Sequence, residues 1–432
     1  MRAQELGGPN ARAGGAYARL FRSRSFMALW LGQTVSFIGD YFYWLAVPIM
    51  IERLTGSTAM VGMSVIFNAL PMLVLGPIAG VFVDRWDRKR TMIVSDVLRA
   101  LLVLFSLTVR TSSQIWIYYV VGFLMSCVSR FFFPAQNALL PLIVQDKDDL
   151  LAANGLMQVV QTVGLLVGPA MAGFAIGLWG ERIAFLVDSV TFVVSAALIL
   201  TMAVPSRGTE PAGVEPVAAA GRLARVWAEL REGIVYLFGS PTMVGVLICL
   251  GVVQLGLGAV NVVWVPYLQR TFGVGAEGLG IVDSAQGAGM VLGAVGLGFL
   301  TARLTKRVLT AWSIILIGFL LAGIGIVPLF GYVIALSFGI GVALVPAQSA
   351  LMTMMQLAVP DLKRGRVGSA LNALTTAAGV LSMAAATTLG DMVELGSVYV
   401  ICGLIATASG ALGFLVLHEP GGSPDESIGR SL

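Results

Sequence analysis

Five side chains in the first long apolar run, Gln33, Phe37, Asp40, Tyr41 and Trp44, bring together an amide, a carboxylate and three aromatic rings at intervals of four, three, one and three residues. On a helix that spacing gathers them on one face. An ionised carboxylate near mid-membrane costs about 3 kcal/mol or more unless it is hydrated or paired, so such acids normally face a cavity. A carboxyl group in low dielectric also holds its proton more tightly and can exchange it when the cavity changes sides. Asp40 is therefore a candidate for proton coupling, with Asp283 as a second. The aromatic stripe beside Asp40 also suits a lipophilic cation, through stacking and charge. A further reading stays open, in which Asp40 is a protonated or hydrogen-bonded packing residue beside Ser36.

Other polar residues fall at pore-facing depth in the apolar runs: Gln158 and Gln161, then Gln254, Asn261, Gln286 and Asn372. Singly such residues serve as glue between helices; distributed over both halves of the chain, they suit a wide, weakly polar cavity for substrate. Asp96 and Arg99 sit one turn apart in the third run, and with Arg130 in the fourth they are expected to form a buried ion-pair cluster. Asp188 reads as a structural residue. Three cysteines, each inside an apolar run, and a single histidine, His418, leave no material for a disulfide framework, a zinc centre or a His-based catalytic triad. No GxxxxGK[ST] run is present, so nucleotide hydrolysis by a P-loop is excluded. These absences argue against an enzyme, and no cofactor or metal is expected.

The elements that must position these residues are membrane spans. Of 432 residues, 57% are hydrophobic and 12% charged, where a soluble domain carries roughly 25% charged residues. Apolar stretches long enough to cross a bilayer, about 20 residues, recur at 26–50, 57–83, 91–110, 114–138, 152–178 and 183–204, then at 240–268, 278–302, 308–329, 331–355, 366–390 and 396–417. Residues 1–25 read as a cytoplasmic tail, because their arginines flank no apolar core of a signal peptide. Residues 26–204 and 240–417 are two six-helix bundles, and 418–432 a second cytoplasmic tail. Between the bundles lies a cytoplasmic linker, 205–239, whose segment 221–238 has the helical spacing of an amphipathic surface helix.

Charge placement supports the count. With the N-terminus inside, most of the 27 basic residues fall in cytoplasmic segments, and only Arg53, Arg110, Arg182 and Arg270 lie in outer loops. The excess of positive charge, net +4, is thereby explained by topology, and nucleic acid is not an expected partner. The halves also repeat: Pro48, Gly62, Gly80 and Arg85 recur as Pro266, Gly280, Gly298 and Arg303, and Pro134-Ala135-Gln136 as Pro346-Ala347-Gln348. Such repeats are what two related bundles around a central pathway leave in a sequence.

The loop after the second run carries Gly80, Asp84, Arg85, Arg88 and Lys89. Their spacing resembles the major facilitator superfamily signature G-x3-D-[RK]-x-G-[RK]-[RK], with Asp87 where the family has glycine. The resemblance implies a cytoplasmic latch; the second-half copy, with Ala302 in place of the acid, should be weak. In the fifth run Gly155, Gly164, Gly168-Pro169 and Gly173 resemble the superfamily's antiporter signature, with Ala172 replacing one glycine. Phe133-Pro134-Ala135, Ala153-Asn154 and Asp188 are similar to the branch of macrolide and siderophore exporters.

The resemblance implies an all-α membrane protein of twelve transmembrane helices in two pseudo-symmetric six-helix bundles, working by alternating access. It implies a multi-pass protein of the cytoplasmic (inner) membrane with both termini inside, functioning as a monomer. Its partners would be protons, the lipid bilayer and a small amphipathic or drug-like substrate exported by proton antiport. Alternatives are export of a siderophore or other anionic metabolite, for which Arg130 would have to face the cavity, and lipid translocation, which needs a side opening.

Overall fold

The computed structural model describes residues 9–83, 86–204 and 219–417. Among them are fourteen α-helices: α1 (Pro9–Arg22), α2 (Arg24–Thr55), α3 (Thr58–Val83), α4 (Arg88–Phe105), α5 (Trp116–Ile143), α6 (Lys147–Trp179), α7 (Arg182–Leu200), α8 (Ala219–Gly239), α9 (Pro241–Phe272), α10 (Ala276–Arg303), α11 (Lys306–Ile326), α12 (Phe330–Ala358), α13 (Asp361–Leu389) and α14 (Leu395–Val416). Eleven are long and apolar enough to cross a membrane. With 26 residues and about 1.5 Å of rise for each, α3 is long enough to be the twelfth. Only α1 and α8 are not spans.

The ends of the helices are set by local chemistry. Ser23 caps α2 by accepting from the Phe26 amide, and Gly56, in the left-handed region at φ 61°, closes it by donating to the Glu52 carbonyl. Asp146 caps α6 through the amides of Asp148 and Asp149. Asp87, the residue that departs from the family's glycine, caps α4 by accepting from the Arg90 amide at 2.7 Å. Lys89, two residues further, donates to the carbonyls of Leu200 and Met202 at 2.8 and 2.7 Å, and so satisfies orphan acceptors at the end of α7.

Two compact units result. The first comprises Met1–Arg222 with Gly273–Ser284, the second Leu223–Phe272 with Ala285–Leu432. In the first, α2 packs on α6 and α7, α3 on α5, and α4 on α5 and α7. The second repeats the scheme: α9 packs on α13 and α14, α11 on α12 and α14, and Gly289 and Gly293 of α10 lie against the α12 backbone at Phe338 and Val342. The repeat legible in the sequence is thus a repeat of helix pairing. In hydrocarbon there is little hydrophobic force between helices, and close contact at small residues takes its place. Gly258 of α9 meets Gly379 of α13, and Gly318 of α11 meets Gly403 of α14, in each case leaving no room for a side chain.

The segment expected to be a surface helix is α8. One face is tied to the start of α13, with Glu232 bonded to Arg366 at 2.6 Å, and to the end of α12, with the Tyr236 hydroxyl donating to the Ala358 carbonyl at 3.0 Å. Trp227, Val235 and Phe238 stand exposed on the other. In the N-terminal tail, α1 was not foreseen. It lies on α6, where the Arg19 guanidinium grips both oxygens of Asp149, and Ala16 and Leu20 are buried.

Candidate functional site

The residues singled out on the first span are organised by the glycines of two neighbouring helices. Gly32 and Gly39 of α2 face Ser195 and Thr191 of α7 so closely that a methyl at Gly39 would overlap the Thr191 side chain. This contact brings Asp40, half-buried, to the α7 interface. On the adjoining face, Gly164 and Gly168 of α6 leave the spaces in which the Phe37 and Tyr41 rings sit. The two rings meet edge to face with centroids 5.9 Å apart. Four glycines of the antiporter-like pattern therefore have three kinds of surroundings. Gly164 and Gly168 seat aromatic rings of α2, Gly173 packs on Ala276 and Gly280, and Gly155 faces open space.

The other expected ligands are less uniform. Gln33 is buried, and its Nε2 has no hydrogen-bond partner. Trp44 shares the face of Asp40 but is 66% exposed and stacks on no described ring, so the stripe narrows to the Phe37–Tyr41 pair. Asp283, on the part of α10 that belongs to the first unit, is half-buried and within electrostatic reach of Tyr41. Gln158 and Gln161 are exposed on α6 and bonded to each other at 3.4 Å. In the second unit Gln254 is half-buried beside Gly379, Asn261 and Asn372 are exposed, and Gln286 is half-buried with its carbonyl against Gly341.

The expected cluster of Asp96, Arg99 and Arg130 is corrected to a pair. Asp96 and Arg99 are bonded to each other and 0% and 4% exposed. The guanidinium lies between the rings of Phe132 and Phe192, 4.4 Å from each centroid. Arg130 precedes Phe132 by two residues on α5, about 200° around the helix, and so cannot reach that pair. It is half-buried, and its Nε has no partner. Of the latch-like motif, Gly80 lies in α3, and Arg88 and Lys89 open α4, while Asp84 and Arg85 lie outside the described residues. A cavity of about 510 Å3 between Arg303, Lys306 and the Ser349–Thr353 side of α12 touches none of the candidate residues.

Sequence reasoning undervalued α7. Asp188 is fully buried, with the Thr191 side chain beside its carboxylate, and lies within electrostatic reach of Asp40 and Arg99. Its depth in an apolar run was the available signal. Among the described residues no group of His, Cys, Asp and Glu is arranged to hold a metal ion.

Comparison with known proteins agrees with this architecture. The sequence pattern of the Major Facilitator Superfamily matches residues 29–254 and 246–431. The MFS-type transporter YfiS of Bacillus subtilis (strain 168) is 27% identical over 91% of this chain and 93% of its own. Macrolide efflux protein A of Streptococcus pyogenes is 25% identical over 72% and 75%, and the enterobactin exporter EntS of Salmonella typhi 23% identical over 91% and 92%. Among solved structures, a D-xylose–proton symporter superposes with a TM-score of 0.70 at 12% identity, covering 92% of this chain and 99% of that one. A bacterial homologue of the iron transporter ferroportin does so with 0.69 at 16%, covering 92% and 98%.

Proposed function

Because the chain belongs to the major facilitator superfamily, whose members are transporters, we propose that it exports small amphipathic or lipophilic molecules by proton antiport with alternating access. The observation that carries this reading is the setting of Asp40, a half-buried carboxylate beside an aromatic pair that is seated on Gly164 and Gly168. The carboxylate takes a proton from the outer side and releases it inside, and a substrate stacked on Phe37 and Tyr41 leaves in exchange. Gln33, Trp44, Gln158 and Gln161 of the first unit, with Gln254, Asn261, Gln286 and Asn372 of the second, supply polar contacts. Asp283 is a second coupling acid. The distribution of Lys and Arg favours both termini on the cytoplasmic side of the inner membrane, where Gly80, Asp84, Arg85, Arg88 and Lys89 act as the latch. The protein works as a monomer. The name of the macrolide efflux relative supports the direction and the substrate class.

The test is Asp40→Asn in proteoliposomes with one cationic and one neutral substrate. A coupling role predicts that counterflow persists while uphill transport driven by a pH gradient is lost for both. A purely substrate-binding role predicts weaker binding of the cation alone. Uphill transport of both at the parent's rate refutes either role. A second reading, export of an anionic metabolite, is favoured by Arg130, whose half-buried guanidinium has an unbonded Nε. It predicts that a catecholate competes for binding better than a macrolide or a cationic dye, and that Arg130→Gln abolishes the competition.

A further inference from the structure

Buried polar atoms in folded proteins nearly always have partners, and those that lack a protein partner bond to internal water. In the first unit such atoms are concentrated in one seam where α2, α4, α5 and α7 meet. The Asp188 carboxylate and the hydroxyls of Tyr43, Tyr118, Ser106 and Ser195 are all buried with hydrogen-bonding capacity left over, and they lie next to one another, Thr191 beside Asp188, Ser106 beside Tyr43 and Ser195 beside Asp96. The order along the seam follows from the packing. Ser195 faces Gly32 near the start of α2, and Thr191 faces Gly39. Beyond Asp188, Phe185 lies against both Tyr43, at 6.0 Å, and Tyr118, at 5.8 Å. Tyr43 neighbours Asp188 and Ser106. Tyr118 lies within reach of Glu181 and Arg182, and Glu181 is bonded to Arg53 at 2.9 Å at the end of the bundle that the topology above makes the outer one.

The charges in the seam are unbalanced. Asp40, Asp96 and Asp188 surround one cation, Arg99, which is committed to Asp96. Arg182 acts only on Tyr118 at the outer end, and around the three acids α3 and the spanning part of α5 near Tyr118 carry no charge, while the charged residues of α6 are confined to Lys147, Asp148 and Asp149 in its first turn. Two ionised carboxylates in low dielectric repel strongly, and a proton held between Asp40 and Asp188 removes that repulsion. Each tyrosine or serine hydroxyl can accept and donate one proton in turn.

We propose that protons reach Asp40 from the outer side through this hydrated seam inside the first bundle, with Asp188 as the relay carboxylate and Tyr43, Ser106 and Tyr118 as its outward links. The inference rests on the antiport reading above and adds a route to it. The proton that Asp188 passes to Asp40 is replaced by one from outer water through Tyr118, Tyr43 and intervening water, so the relay returns to its starting state each cycle. The route runs between helices of one bundle.

The experiment compares the parent protein, Asp188→Asn, Asp188→Glu and Tyr43→Phe in proteoliposomes, scoring pH-driven uphill transport, its pH profile and counterflow. Tyr43→Phe keeps the ring against Phe185 and removes only the hydroxyl. Asp188→Asn should retain counterflow and lose pH-driven transport about 100-fold, the scale of a lost proton-transfer group. Asp188→Glu should restore much of it. Tyr43→Phe should slow it about tenfold, the equivalent of one lost hydrogen bond, and shift its pH profile. If Asp188→Asn and Tyr43→Phe pump at the parent's rate and with its pH profile while Asp40→Asn does not, the route is overturned and antiport stands. Should Asp188→Asn not insert, a parental rate in Tyr43→Phe alone overturns it. A parent protein that pumps nothing under a pH gradient overturns antiport and the route together.

Discussion

The glycines of α6 offer an internal comparison within one motif. A Cβ built at Gly168 would lie 2.8 Å from Cγ and 3.1 Å from Cβ of Tyr41, closer still to Cδ2, whereas one at Gly155 would meet nothing within 4 Å. Both residues are in the same helix, and Gly-to-Ala is favourable for helix propensity at each. The difference between the two substitutions therefore reports the seat alone. Displacing a packed ring costs about 1–3 kcal/mol, which corresponds to roughly 5- to 150-fold in the population with Tyr41 seated. Gly168→Ala should reduce the initial rate of efflux by a factor in that range and lower the thermal unfolding midpoint in detergent. Gly155→Ala should leave both unchanged or slightly raise the midpoint. In a Tyr41→Ala background Gly168→Ala should no longer lower the midpoint, because the clash is gone, and transport should not recover. Equal midpoints and rates for Gly168→Ala and Gly155→Ala would refute the reasoning, since the motif glycines would then not act through the Phe37 and Tyr41 rings.

Two further predictions concern the structure that supports the site. Arg99→Met leaves Asp96 buried without its cation, a loss of about 3–5 kcal/mol, and should abolish stable protein in detergent; Asp96→Asn in the same chain should recover most of the yield, which fluorescence-detected chromatography would show. Asp87→Ala removes the cap of α4 at a cost of about 1 kcal/mol, whereas Asp87→Gly, the residue of the family pattern, costs only a few tenths; thermal unfolding of the two variants should rank them in that order.

Much of the fold was legible because its causes are local. About 20 apolar residues are needed to cross hydrocarbon whatever surrounds them, and positive charge is retained on one side whatever the packing. Twelve spans, the repeat of two halves and the common face of Phe37 and Tyr41 could therefore be read without coordinates. Helix periodicity, however, says which residues share a face and not what that face meets. Gly164 seats Phe37 and Gly168 seats Tyr41 across about 127 residues of chain, a register set by how α2 and α6 slide against each other. That register could not be read from the glycine pattern alone.

Charged residues show the same division. Asp96 and Arg99 were paired correctly because i and i+3 adjoin on any helix, but Arg130 was wrongly added to them, because its direction depends on how α5 is rotated about its axis. Only packing decided that Phe132 and Phe192 close around Arg99, that Trp44 stands 66% exposed, and that Asp188 comes within electrostatic reach of Asp40. The helix α1 escaped notice for a related reason. Its short Gly-, Ala- and Arg-rich sequence is too polar on average to stand out, although its few apolar residues recur on one face, and it is held by Arg19 reaching Asp149, 130 residues away. A lone Arg and a lone Asp carry no sign in a sequence that they belong together; the folded chain brings them within reach.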